Sequence, residues 1–135
     1  MKKSVLIVDD DINILNLTKQ IFESFGWTVY TATNTSEALQ EFKRHTPPLI
    51  LTDLLLNDNT GGAGIAARVS KMAPLTLIVG MTGLGGGSFT LANLRKHGFD
   101  HILAKPISLE SFRFMLHVVE TIVTGWEKIG SNLGP

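Results

Sequence analysis

Short apolar runs alternate with longer amphipathic segments along the chain. The apolar runs are typical of buried strands, whose side chains are covered on both faces of a sheet. One further segment, Trp27–Thr31, is rich in the β-branched and aromatic residues that favour strands. The five predicted strands lie at residues 5–8, 27–31, 49–52, 75–80 and 101–104.

The segments between these strands repeat apolar residues every three or four positions, which predicts helices. Polar capping residues and glycine or proline stops place the helix ends. Five helices are predicted. The first covers residues 11–25, and the second runs from a cap at Thr35 or Ser36 to the prolines at 47 and 48. The third covers residues 65–72, the fourth runs from a cap at Ser88 to Gly98, and the fifth begins after a cap at Ser108. Five strand–helix units in succession predict an α/β fold with an open, doubly wound parallel sheet.

The composition narrows the class of protein. A chain of 135 residues with 44% hydrophobic and 18% charged residues suits one globular domain. The 12 basic residues balance the 12 acidic ones, so no net positive charge favours direct binding to nucleic acid or to an anionic membrane. The chain has no cysteine, which excludes disulfides and thiolate chemistry.

No targeting or membrane-spanning segment is expected. The first apolar run ends after four residues in three aspartates, which makes it too short and too acidic for a signal peptide. No apolar stretch approaches the roughly 20 residues that cross a bilayer. The sequence therefore predicts a cytoplasmic protein.

Polar side chains follow four of the predicted strands. Because parallel strands end at the same edge of a sheet, the side chains that follow them converge there. Asp11 suits the start of the first helix, where a carboxylate faces the positive end of the helix dipole. The other converging residues are Asp9 and Asp10 after the first strand, Asp53 after the third, Thr82 after the fourth, and Lys105 with Pro106 after the fifth.

This set of side chains points to phosphoryl chemistry. Three carboxylates at one edge repel each other, and protonation or a bound cation relieves the repulsion. Hard oxygen ligands suit Mg²⁺. A carboxylate beside such an ion can attack phosphorus and form an aspartyl phosphate. The ion and the ammonium group of Lys105 would stabilise the charge on the transferred group.

Four motifs in order, VLIVDDD, LILTD, MTG and GFDHILAKP, resemble those of the receiver domain of two-component response regulators. The resemblance covers residues 4–121. It implies a flavodoxin-like (βα)₅ fold with strand order 2-1-3-4-5. It also implies a phosphoacceptor signalling domain that assists its own phosphorylation and dephosphorylation but is not an enzyme.

The resemblance assigns a role to each acidic residue. Asp53 matches the phosphoacceptor, which takes its phosphoryl group from a sensor histidine kinase or a phosphotransfer protein. Asp10 matches a direct Mg²⁺ ligand, and Asp9 matches its partner, which acts largely through water. The backbone carbonyl of Leu55 completes the protein ligands of the ion in this family.

The remaining site residues concern the response to phosphorylation. Thr82 matches the hydroxyl that binds the phosphoryl group and moves on activation, and Lys105 matches the lysine that pairs with a phosphoryl oxygen. Pro106 matches a proline whose preceding peptide bond is commonly cis. Signalling then involves the face formed by the fourth strand, the helix predicted from Ser88 to Gly98, and the fifth strand. Ile102 departs from the family, since tyrosine or phenylalanine usually stands there and changes rotamer on activation.

Two alternatives have different chemistry. Gly62 to Ala67 fits the pattern G-x-G-x-x-A of dinucleotide-binding enzymes, although that fingerprint should follow the first strand. The glycine-rich segment MTGLGGGSF does not fit a nucleotide-binding P-loop, because it has no lysine at the position that the P-loop pattern requires. The second alternative is a phosphorylation-independent pseudo-receiver, which acts only as a protein-interaction module. That class lacks at least one of five site residues, and this chain has all five: Asp9, Asp10, Asp53, Thr82 and Lys105.

The sequence also suggests how the chain divides. A receiver domain is expected over residues 1–124. Residues 125–135 are expected to form a C-terminal tail, which would be too short for an output domain. The kinase and the downstream partner are not identified by any motif.

Overall fold

The computed structural model describes residues 3–56, 61–83, 95–105 and 107–132. Five parallel strands form one sheet with the order β2-β1-β3-β4-β5, which confirms the predicted fold class and strand order. The strands are β1 (Ser4–Val8), β2 (Thr28–Ala32), β3 (Leu49–Asp53), β4 (Leu77–Thr82) and β5 (His101–Ala104).

Four described helices accompany the sheet: α1 (Ile12–Ser24), α2 (Thr35–His45), α3 (Gly61–Met72) and α4 (Leu109–Asn132). The helix predicted from Ser88 falls mostly outside the described residues, although Arg95 and Lys96 are helical. None of the described helices combines the length and the apolar character that crossing a bilayer requires.

Two hydrophobic clusters cover the two faces of the sheet. Alternate residues of the central strands face opposite sides, so Val5 and Ile7 join one cluster while Leu6 and Val8 join the other. The first cluster includes Phe22 from α1 and Phe112 from α4. The second is made with apolar residues of α2 and α3, including Phe42, Ile65 and Val69. Helices on both faces explain why β1 and β3 are buried along their whole length.

Local signals place several helix ends where the sequence predicts them. The Asp11 carboxylate accepts hydrogen bonds from the backbone N–H groups of Asn13 and Ile14, so Asp11 caps α1. The Ser108 hydroxyl accepts the N–H of Ser111 at the start of α4.

Other boundaries differ from the sequence prediction. Asn34, rather than Thr35 or Ser36, caps α2, because its side-chain oxygen accepts the N–H of Glu37. The fourth strand begins at Leu77 and includes Thr82, two residues later at both ends than expected. The third helix begins at Gly61 rather than residue 65, so a glycine-rich stretch predicted as a loop is helical.

The last helix extends past the expected boundary between the domain and the tail. Its backbone remains helical to Asn132, so the expected boundary at residue 124 falls inside a helix. The division into a domain and a tail stays a prediction. The glycines at 85–87 lie outside the described residues.

Candidate functional site

Asp9 lies directly beyond β1 and is fully buried. Its backbone N–H donates to Ala32 on β2 at 3.2 Å, which continues the strand pairing by one step. Both carboxylate oxygens have partners: Oδ1 accepts the N–H of Asp11 at 2.9 Å, and Oδ2 accepts from Lys105 Nζ at 3.0 Å. The Asp9 carboxylate therefore has a fixed position at the sheet edge.

Asp53 is the last residue of β3 and pairs with Met81 of β4. Its Oδ1 accepts the backbone N–H of Leu55 at 3.0 Å, and its Oδ2 accepts from Lys105 Nζ at 2.9 Å. About 12% of the side chain is exposed, compared with 1% for Asp9. Of these two carboxylates, Asp53 is therefore the one that an incoming group can reach.

Asp9, Asp10 and Asp53 together form an acidic cluster. Each offers a carboxylate oxygen, and these oxygens all lie within 4.8 Å of one another. Such spacing lets a single cation contact all three groups, and hard oxygen donors are the ligands that Mg²⁺ or Ca²⁺ prefers. The donor chemistry of the cluster therefore fits a divalent hard cation.

Lys105 and Thr82 lie on neighbouring strand ends. The backbone N–H of Lys105 donates to the Thr82 carbonyl at 2.7 Å, and Thr82 pairs with Ala104. Thr82 is buried, with 6% of the residue exposed. The pairing of β4 with β5 thus brings Thr82 to the same edge of the sheet as Lys105. The ammonium group of Lys105 donates to both Asp9 and Asp53.

The pKa values of Asp9 and Lys105 reflect two opposing effects, burial and the interactions of these groups with their partners. Burial raises the pKa of Asp9, and the nearby charge of Asp53 adds to the rise, while hydrogen bonds from Asp11 and Lys105 limit it. Burial alone would lower the pKa of Lys105, but its hydrogen bonds with the two carboxylates outweigh that effect and raise the pKa. Lys105 therefore remains charged at neutral pH.

The structure thus brings together Asp9, Asp10, Asp53 and Lys105, with Thr82 on the strand that separates β3 from β5. Their individual roles, and that of the Leu55 carbonyl, stay predictions. The structure bears differently on three other features that the sequence suggested. Ile102 is half-buried and packs against the cluster that contains Phe99, and Pro106 lies outside the described residues. Gly62 to Ala67, which follow the third strand in the sequence, lie within α3.

Two residues that contact Asp53 were not among the predicted site residues. Thr52 Oγ1 donates to the Asp53 backbone carbonyl at 3.1 Å. Gly62 approaches the same carbonyl so closely that an added Cβ would lie 2.5 Å from its oxygen. Neither residue type is distinctive at its position in the sequence, since threonine is common in strands and glycine in loops.

The sequence pattern of one protein family, described as the response regulator receiver domain, matches residues 5–117. The chain belongs to this family. Among its relatives, the acid tolerance regulatory protein ActR of Rhizobium meliloti (strain 1021) is 35% identical over 104 residues, covering 77% of this chain and 53% of ActR. The transcriptional regulatory protein TrcR of Mycobacterium tuberculosis (strain ATCC 25618 / H37Rv) is 31% identical over 106 residues, covering 78% of this chain and 40% of TrcR.

Solved structures show the same receiver fold. The chemotaxis protein CheY4 of Vibrio cholerae superposes with a TM-score of 0.80 at 23% identity, over 88% of this chain and 99% of CheY4. A response regulator receiver domain from Clostridium thermocellum superposes with a TM-score of 0.80 at 21% identity, over 93% of this chain and 98% of its own. The receiver spans about half the length of the curated relatives it matches.

Proposed function

We propose that this receiver domain accepts a phosphoryl group on Asp53 in a Mg²⁺-dependent reaction. One observation carries the proposal: the Asp53 carboxylate lies within 4.8 Å of two other carboxylates and accepts a hydrogen bond from Lys105. A cluster that can hold a divalent cation beside a partly exposed carboxylate and a charged lysine provides what phosphoryl transfer needs.

Asp53 acts as the nucleophile. One of its carboxylate oxygens forms a bond to phosphorus while the bond between phosphorus and the donor atom breaks, and the donor keeps that electron pair. The N–H of Leu55 and the ammonium group of Lys105 orient the carboxylate, since each donates to one of its two oxygens. This orientation lowers the entropy lost on reaching the reactive geometry.

Asp9 and Asp10, together with Asp53 and the Leu55 carbonyl, would hold Mg²⁺ at this edge. The ion would neutralise charge on the transferred group. Lys105 offsets the negative charge of Asp9 and Asp53 in the unmodified protein, because its ammonium group donates to both. After transfer, the same ammonium group pairs with a phosphoryl oxygen and the Thr82 hydroxyl binds another.

A sensor histidine kinase or a phosphotransfer protein in the cytoplasm is the proposed donor. The dianionic phosphoryl group would attract Thr82 and Lys105 and shift an existing equilibrium of the face formed by β4, the helix expected between residues 88 and 98, and β5. Ile102 cannot reproduce the hydrogen bond or the ring rotation of an aromatic residue, so the shift depends on the backbone beside Thr82.

The test is incubation with acetyl phosphate and Mg²⁺, followed by intact-mass measurement. We expect the mass to increase by one phosphoryl group in the wild type and to stay unchanged in Asp53→Asn. Asp11→Asn is the matched control, since Asp11 is close in sequence but caps α1 and lies outside the acidic cluster. A wild type that gains no mass at any Mg²⁺ concentration would contradict the proposal and favour a phosphorylation-independent interaction module.

A further inference from the structure

The peptide unit that joins Asp53 to Leu54 is held at both of its polar ends. The Asp53 carbonyl accepts a hydrogen bond from Thr52 Oγ1 at 3.1 Å. The Leu54 N–H donates to the Met81 carbonyl of β4 at 3.0 Å. Because a peptide unit is planar and rigid, fixing both ends fixes the orientation of the whole plane.

Gly62 covers this peptide unit from the start of α3. A Cβ at residue 62 would lie 2.5 Å from the Asp53 carbonyl oxygen and 3.2 Å from the Cα of Leu54. Real side chains do not approach a carbonyl so closely, so only glycine fits without displacing either the helix or the strand end. The N–H of Gly62 also donates to the Leu54 carbonyl at 3.4 Å.

The orientation of this peptide unit bears directly on the Asp53 carboxylate. The plane starts at the Cα of Asp53, so a rotation of the plane changes the backbone angles that restrict the side-chain rotamer. The next N–H along the chain, that of Leu55, donates to Asp53 Oδ1 at 3.0 Å. A displacement of the Asp53–Leu54 peptide unit therefore moves both the carboxylate and a donor that orients it.

We propose that Thr52 and Gly62 are positioning residues for Asp53. Thr52 fixes the Asp53 carbonyl through a hydrogen bond, and Gly62 lets α3 pack against the same peptide unit. Neither touches a reacting atom. The inference rests on the proposed function for its effect on phosphorylation, but the positioning itself is a structural property with its own measurement.

The hydroxyl of Thr52 is tested by Thr52→Val, which keeps the branched shape of this fully buried side chain. We expect the rate of phosphorylation by acetyl phosphate at saturating Mg²⁺ to fall about five-fold, as for the loss of one ordinary hydrogen bond. Thr52→Ser restores the donor and brings the rate back toward that of the wild type. Thr18→Val is the matched control, since the buried Thr18 hydroxyl also donates to a backbone carbonyl, that of Ile14 on α1.

The close approach of Gly62 is tested by Gly62→Ala. We expect the rate of phosphorylation to fall at least as much as in Thr52→Val, because the helix and the peptide unit must separate. Gly98→Ala is the matched control: its Cβ would lie 2.9 Å from the Ala66 carbonyl, so it also strains a close contact, but away from Asp53. Gly98→Ala should lower the melting temperature and leave the rate unchanged at temperatures where it is folded.

A second measurement does not depend on phosphorylation. Amide hydrogen exchange at Leu55 reports the bond to Asp53 Oδ1, and it should accelerate in Thr52→Val and Gly62→Ala but not in the two controls. If Leu55 exchange and the phosphorylation rate in Thr52→Val and Gly62→Ala match those in their controls, both residues are only structural and the inference is wrong. If the wild type accepts no phosphoryl group, the proposed function fails, and Leu55 exchange alone decides the positioning.

Discussion

Asp9 carries a buried negative charge that is costly to the fold. Burial raises the pKa of this carboxyl group, which means that the folded chain binds the proton more tightly than the unfolded chain does. The charge therefore destabilises the metal-free fold at neutral pH, and stability is regained as the pH falls through the raised pKa. A cation bound by the cluster would offset this cost.

We therefore predict that Asp9→Asn raises the free energy of unfolding in metal-free buffer at pH 7. The amide removes the buried charge, and its oxygen can still accept the N–H of Asp11. Urea denaturation with a chelator present measures the effect. The gain should diminish as the pH is lowered toward the range where Asp9 is protonated, and a lower stability of the variant at pH 7 would contradict the prediction.

At the level of single residues, the sequence predicts the acidic cluster and Lys105. It does not predict that Thr52 and Gly62 contact the backbone of Asp53. Strand-end positions are predictable because parallel strands end at one edge, so Asp9 and Asp53 have to approach each other. The contacts of Thr52 and Gly62 depend on the orientation of one peptide plane. That orientation is set by contacts with Thr52, Met81 and Gly62, which belong to β3, β4 and α3, so no local pattern encodes it.

The N-terminus of α2 is held by two side chains in a reciprocal arrangement. Asn34 accepts the N–H of Glu37, and the Glu37 carboxylate accepts both the N–H and the hydroxyl of Thr33. We predict that Asn34→Ala lowers the free energy of unfolding by about 0.5–2 kcal/mol, as for other N-caps. Thermal or urea denaturation measures the loss. Asn34→Asp is the control, because aspartate caps helices equally well.

The same arrangement predicts a pH dependence. The hydrogen bonds from Thr33 lower the pKa of Glu37. A lowered folded pKa means that the stabilisation is present above the pKa of the unfolded chain and is lost as the pH falls through the folded pKa. The stability difference between the wild type and Glu37→Gln should therefore shrink in acid. The difference is expected to be small, since Glu37 is exposed to solvent.

Element types are more predictable than element ends in this chain. Apolar runs identify four of the described strands and β-branched residues identify the fifth, but Pro74 and Leu75 lie in a turn and β4 begins only at Leu77. The start of α3 is missed because glycine has low helix propensity and supplies no apolar periodicity. Tertiary packing of α3 against the end of β3 overrides that local preference.

At the scale of the whole molecule, Phe22 of α1 contacts both α4 and the residue that precedes β2, on one face of the sheet. Its ring packs edge-on against Phe112 of α4 at a centroid distance of 4.8 Å and against Trp27, just before β2, at 5.6 Å. We predict that Phe22→Ala lowers the free energy of unfolding by about 3–5 kcal/mol, because it leaves a cavity in a closely packed core. The loss is measured by urea denaturation.

The control for Phe22 is the same substitution at an exposed ring. Phe114 on α4 is 66% exposed, so Phe114→Ala should change the stability of the isolated chain by no more than about 0.5 kcal/mol. Similar losses in the two variants would contradict a core in which Phe22 of α1 packs against both Phe112 of α4 and Trp27.

Metal binding should couple the site to the stability of the whole domain. An ion that binds only the folded chain stabilises it by about 2.7 kcal/mol when its concentration is one hundred times the dissociation constant. We therefore predict that Mg²⁺ raises the melting temperature of the wild type in a saturable manner, and that Asp10→Asn removes most of the rise. Asp11→Asn should retain it, because Asp11 caps α1 and lies outside the acidic cluster. An equal Mg²⁺ response in the two variants would mean that the ion acts through general charge screening rather than through a bound site.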